Sequence, residues 1–406
     1  MILIYIKKNA LRYLFFALFL FFIMNMLVTR QQRTRVSLYN DAMHYLEQHE
    51  DSLQTDIPLD YECYSQKVTS IENLEGKEDI SEEDRLDIFM LQYKITQSDM
   101  VWINSRLNAP GEVAPTVSSD RTLLRLLNND YKPAFSLKGE TENRILVETR
   151  NLRRYGDTEY EHKIAELSLE NLKKIDTSYD GYYSVYGFSM YLPKLQSDYM
   201  FVLLIAVLSF SMFSSLREKG YLMWISTLRS SVNGFAIRFH LAGLMLVILS
   251  FLVYFGLFTG RIVAYLPHSE IFNAPAQVLV GSENLLFPLT VGEYYALSGF
   301  VKCLFVMAVY SLVSLISLVS KNSIIAFALS ALLCGGIMGI GNAGHGVRGA
   351  LFSGDLGCIS DYPYTNFFGE PVNSMAIIIC VPIIVIILAA LTVRFAAKKL
   401  CCNGAA

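Results

Sequence analysis

Six long apolar runs interrupt an otherwise polar chain: Leu14–Thr29, Met200–Ser214 (extending to about Leu216), Ala236–Phe258, Ser298–Ser320, Ser323–Gly341 and Met375–Ala396. A bilayer core about 30 Å thick takes about 20 mostly apolar residues as helix. Each run is therefore expected to cross a membrane. Only Lys321-Asn322 separates the fourth run from the fifth. Pro382 falls inside the last, where neighbouring helices and water can satisfy the freed carbonyl. Lys302 sits near one end of the fourth, where its stem could snorkel to the interface. The first run follows Lys7, Lys8 and Arg12, a flank that also describes a secretory signal. No small-x-small cleavage site follows it, so it reads as a retained anchor, with a cleaved signal as the alternative. Six spans put both termini on the same side.

Between the first two runs lies a polar block, residues 31–197, whose periodicity is helical. Tyr39, Met43 and Leu46 share one helix face; Leu86, Phe89, Met90 and Tyr93 share another, behind Ser81-Glu82-Glu83-Asp84 as its start signal. Ser119-Asp120-Arg121 leads into Leu123, Leu124, Leu126 and Leu127, and Asn143–Ile175 reads as long helix broken at Gly156. Tyrosines 179, 182, 183, 186 and 191, with Tyr199 beyond, suit an interfacial belt; a ligand-stacking surface is the sharper alternative. The expected fold is an all-α polytopic membrane protein. Residues 1–30 form a cytoplasmic N-terminus and first span, 31–197 an extracellular domain, and 198–406 a five-helix transmembrane domain.

Charge gives the orientation. Of 37 acidic and 34 basic residues, 29 and 19 fall between Gln31 and Ser197, a net of −10 against +7 elsewhere. With the N-terminus inside, the cytoplasmic segments hold Lys7, Lys8, Arg12, Arg217, Lys219, Arg229, Arg238, Lys321, Arg394, Lys398 and Lys399 against a single acid, Glu218. The positive-inside rule then puts both termini in the cytoplasm of a cell (plasma) membrane protein and the acidic block outside. Arg30, Arg33 and Arg35 oppose this locally, and the later loops outweigh them. With 53% hydrophobic and only 17% charged residues, a single soluble globule is excluded. No basic stripe is long enough for nucleic acid.

Motif absences narrow the function. There is no P-loop; the Gly76-Lys77 pair continues into Glu78. No H-E-x-x-H, C-x-x-C or G-x-S-x-G occurs, and His44, His49, His162, His240, His268 and His345 show no metal spacing. The chain therefore reads as a non-enzyme with no cofactor of its own. Of seven cysteines, Cys303, Cys334 and Cys380 lie in spans, and Cys401 and Cys402 stand beside Lys398 and Lys399 without a CaaX ending. Cys63 and Cys358 fall outside and are the candidate disulfide if the outer domain folds onto the last outer loop.

The cytoplasmic link between the second and third spans, about 217–235, carries a stripe. Tyr221, Trp224, Ile225 and Leu228 fall on one helix face behind Glu218-Lys219-Gly220. A helix lying passively on the bilayer is the bland reading; docking into a groove on a cytoplasmic partner is the functional one. One span, a large outer domain and five clustered spans, with this link, resemble the ABC-2-type permeases of ABC exporters. In that family an amphipathic coupling helix in this link often opens with Glu-x-Gly and reaches Thr-Pro about two turns later. Glu218 and Gly220 match the opening and Thr227 falls near the threonine, while Leu228 stands where proline is common. The resemblance implies a second permease half, as homo- or heterodimer. It implies ATPase subunits on separate chains that bind the ATP, a chiefly bacterial design, and coupling through Glu218, Gly220, Tyr221, Trp224, Ile225 and Leu228. It also implies a partly inserted outer segment between the last two spans. Here Gly335–Asn373 contains the helix-packing pattern Gly335-x-x-x-Gly339. A glycine-rich stretch follows, then Tyr362, Tyr364, Phe367 and Phe368 as a candidate outer gate within about 342–373, or a belt-anchored loop. The expected function is an exporter permease. The alternative is a membrane sensor or scaffold whose outer domain binds a ligand and signals to a partner.

Overall fold

The computed structural model describes residues 9–26, 137, 141–155, 160–177, 186–196, 198–221, 232–264, 269–279, 284–360 and 362–403. The chain divides into two compact units, one comprising Met1–Gln31, Glu140–Tyr179 and Tyr183–Ala406, the other Gln32–Gly139 with Asp180–Tyr182. Almost all of the second unit lies outside the described residues, as do the expected helical faces at Tyr39–Leu46, Leu86–Tyr93 and Leu123–Leu127.

The first unit is a helical bundle. Its helices are α1 (Asn9–Met26), α2 (141–154), α3 (Tyr160–Leu172), α4 (Tyr186–Gln196), α5 (Met200–Ser209), α6 (Ser214–Glu218), α7 (Val232–Ala264), α8 (Val291–Val319), α9 (Ser323–Ala343), α10 (Gly346–Ser353) and α11 (Ser374–Asn403). Among the described residues, six stretches are long and apolar enough to cross a membrane: Asn9–Met26, Met200–Glu218, Gly234–Ala264, Val291–Val319, Ser323–Ala343 and Ser374–Ala396. Each overlaps one of the six apolar runs. The chain is thus a multi-pass, predominantly helical membrane protein.

Helix α8 is the central post, with α5, α7, α9 and α11 packed against it. Its start is set by a capping box: Thr290 Oγ1 accepts from the Glu293 amide, and the Glu293 carboxylate accepts from the Thr290 amide. Interlocking rings fill the interior. Phe201 stacks on Tyr254 at 4.7 Å and Phe255 on Tyr295 at 4.9 Å. Small residues admit these rings: a Cβ on Gly299 would lie 2.4 Å from the Phe255 ring, and one on Gly243 would lie 1.9 Å from the Tyr310 hydroxyl. The first span joins through polar bonds that an apolar interior makes specific. The Tyr13 hydroxyl meets Ser209 Oγ at 3.0 Å, and Arg261 Nε donates to Asn25 Oδ1 at 2.7 Å.

The all-α expectation needs one amendment. Strands β1 (Tyr364–Phe367) and β2 (Glu370–Asn373) form an antiparallel ribbon, Tyr364 opposite Asn373 and Phe367 opposite Glu370, leading directly into α11. Helices α2 and α3 occupy the stretch expected to be helical around Gly156. They belong to the same unit as the spans.

Candidate functional site

Helix α6 carries the second span into the link toward the third span. Its C-terminal turn closes with the Gly220 amide donating to the Arg217 carbonyl at 2.9 Å. Gly220 adopts φ +67°, and no atom lies within 4 Å of where its Cβ would be. Glycine is therefore needed there for conformation rather than for space. The two preceding charges reach the turn between α8 and α9. Arg217 Nη1 donates to the Ser320 carbonyl at 3.0 Å, at the C-terminal end of α8. The Glu218 carboxylate accepts from the Ser323 amide at 2.6 Å and from Ser323 Oγ at 2.9 Å, at the first residue of α9. A cation at a helix C-terminus and an acid at a helix N-terminus both complement the helix dipoles. Ser317 Oγ adds a rivet, accepting from the Phe213 and Ser214 amides at 2.9 and 3.1 Å.

Of the six residues expected to couple, the structure places three. Glu218 is exposed, and its carboxylate is engaged with Ser323 at the start of the fifth span. Tyr221 is 44% exposed. Trp224, Ile225 and Leu228 lie outside the described residues.

The segment between the fifth and sixth spans is more structured than its glycines suggest. Helix α9 turns into α10 where Gly344 and Gly349 meet backbone to backbone; a Cβ on Gly349 would lie 2.5 Å from the Gly344 carbonyl oxygen. A short 3-10 turn, Leu356–Ile359, follows before the ribbon. The four aromatic residues expected as a gate diverge. Tyr364 is half-buried, accepts a hydrogen bond from Asn171 Nδ2 at 2.8 Å and packs by Leu172, Ile175 and Leu286. Tyr362, Phe367 and Phe368 face outward, Phe368 being 94% exposed at the ribbon's tip with φ 54°. A bulky side chain in the left-handed region costs about 1–2 kcal/mol. The ribbon is also pinned to α3 by the Lys163–Glu370 ion pair. A Cβ on Gly335 or Gly339 would meet no other element within 4 Å, so among the described residues their motif packs against nothing. Cys358 carries a free thiol, its Sγ 4.0 Å from Ser353 Oγ, while Cys63 lies outside the described residues.

Lys302 corrects the snorkelling expectation. It is 2% exposed, and Nζ donates to the Gln196 carbonyl at 2.7 Å and the Ser353 carbonyl at 2.8 Å. The rings of Tyr199 and Phe305 flank it at 5.5 and 5.6 Å. Helix α8 begins at Val291, so about 16 Å of helix precedes Lys302 at 1.5 Å per residue, and protein encloses the side chain there. The missed signal was Thr290-x-x-Glu293, which marks the true start. Two acids sit by the ammonium. Asp198 accepts from the Met200 amide at 2.8 Å and from the Tyr254 hydroxyl. Asp355 accepts from the Gly357 amide at 2.8 Å.

Burial raises the Asp355 carboxyl above the ordinary carboxylate value, against the lowering pull of the Gly357 amide and of Lys302. The unfolded chain ionises this acid at the lower pH. Between the two values folding takes up a proton, so this group's contribution to stability falls as pH rises through the window just above the ordinary carboxylate range. A pH series of thermal unfolding midpoints should show that fall, and Asp355→Asn should remove it.

Among the described residues no group of three or more His, Cys, Asp or Glu side chains could hold a metal ion. No protein-family model, curated protein or solved structure matches the chain.

Proposed function

We propose that this chain is the membrane-spanning permease subunit of an ATP-driven exporter. In this reading two such halves form the substrate path, and separate ATPase subunits bind the cytoplasmic link. The observation that carries it is the anchoring of that link. Arg217 and Glu218, at the mouth of the stripe, are bonded to the end of α8 and the start of α9. A push on the stripe would be delivered to both spans at once, through polar contacts with little slack. Two-state movement of packed helices could then carry the motion to the outer end. The energy would come from ATP on the partner, since the chain has no P-loop.

One observation favours the sensor reading. The outer helix α3 holds the ribbon through Lys163–Glu370 and Asn171–Tyr364, and the ribbon continues into the last span. A ligand-driven shift of α3 would thereby reach α11. A photo-crosslinking residue in place of Trp224, activated in cells, separates the two. Capture of an ATPase subunit, recognised by its own P-loop, is the expected outcome; capture of a kinase or protease would replace the exporter reading with the sensor reading.

A further inference from the structure

We infer that Lys302 is a positioning residue that holds the outer gate shut, its buried ammonium tying α10 and the end of α4 to the central helix α8. The inference rests on reading the 342–373 segment as the outer gate. The last carbonyls of a helix lack partners within it and form its negative end. Gln196 is the final residue of α4 and Ser353 the final residue of α10, and Lys302 takes the carbonyl of each. Both helix ends present the same device. Two residues after each bonded carbonyl stands an aspartate, Asp198 or Asp355, and each aspartate accepts from the amide two residues further on, Met200 or Gly357. Two copies of one local geometry, from distant parts of the chain, thus converge on one cation.

Such a tie favours two states over a continuum. A buried ammonium either keeps both carbonyls and its neighbouring acids or must be rehydrated, because leaving it unpaired in the interior is costly. The docked state is also close-packed. Gly354, the residue after α10, has φ +67°, and a Cβ there would lie 2.8 Å from Phe305 Cβ on α8. Opening therefore separates Ser353–Asp355 from α8 as one step, and Lys302 sets its cost.

Cys358 reports that step, since its half-buried thiol follows Asp355 on the same element. The full chain, purified in detergent, is pulsed with a water-soluble maleimide, and labelling is read residue by residue by mass spectrometry. Lys302→Met should raise the Cys358 rate about tenfold, while Cys334, buried in α9, stays protected. Loss of the lysine charge would by itself slow the thiol, because Lys302 favours the thiolate, so acceleration reads opening. Lys302→Arg should remain within about threefold of the native rate. An unchanged Cys358 rate in Lys302→Met, or an Arg variant as open as the Met variant, overturns the inference. Should Lys302→Met expose Cys334 as well, Asp198→Asn decides. It keeps an acceptor for the Met200 amide, removes a charge that stands by Lys302 rather than by Cys358, and should still accelerate Cys358 about threefold; no acceleration overturns the tie. The labelling needs no ATPase, so failure of the exporter reading leaves this result standing, and failure of the tie leaves crosslinking at position 224 unaffected.

Discussion

Trp224→Ala combined with Leu228→Ala should reduce partner-stimulated ATP hydrolysis and transport by two to three orders of magnitude, leaving membrane insertion intact. The size follows from how helix-in-groove interfaces distribute their energy. A few apolar or aromatic anchors carry most of it, and truncating one costs about 2 kcal/mol or more, so two lost anchors weaken binding by about a thousandfold. Tyr221, Trp224, Ile225 and Leu228 recur at helical spacing in the sequence, as the anchors of a helix docked in a groove would. Tyr221, at its edge, should matter less, and Tyr221→Ala serves as the mild comparison. The bonds of Arg217 and Glu218 to the α8–α9 turn are independent of the stripe, so the double variant should keep the bundle's thermal stability. Stimulated hydrolysis in reconstituted vesicles measures the first effect and fluorescence-detected size exclusion the second. Native activity in the double variant would remove the stripe from the mechanism.

Asp198→Ala should destabilise the bundle more than any change in the link. Asp198 is 4% exposed, and its carboxylate serves the Met200 amide and the Tyr254 hydroxyl while standing by Lys302. Truncation leaves a buried amide, a buried hydroxyl and a buried ammonium each short of a partner. Removing one member of a buried charge pair costs about 3–5 kcal/mol. Asp198→Asn keeps an oxygen for the Met200 amide and loses only the charge, so roughly half that cost should return. Thermal unfolding midpoints of the purified variants give the comparison. Equal midpoints for Ala and Asn would mean that the hydrogen bonds contribute nothing.

The spans were legible because a bilayer demands a feature no local sequence can hide, about 20 apolar residues in a row. Their ends were less so. The fourth span was placed from Ser298, because Gly292, Glu293 and Tyr294 dilute the apolar signal, although α8 begins at Val291. That seven-residue difference turned Lys302 from an interfacial residue into a buried hub. The ribbon was missed for another reason. Four-residue strands are too short for alternation to register, and Pro371 within β2 argues against a strand. Glu218 stands out in the sequence as the lone acid of the segments expected to be cytoplasmic, but its partner, Ser323, is 105 residues away in the chain and is set by tertiary packing. The Gly335-x-x-x-Gly339 pattern predicts close approach without saying to what; within this unit its face is open.

The proposed exporter places separate ATPase subunits beneath this chain. Native mass spectrometry of the complex extracted intact from its own membranes tests it most directly. The account predicts two permease halves, at least one of them this chain, with two P-loop ATPase subunits. A complex that holds this chain with a kinase or protease, or with no ATPase subunit at all, would contradict it.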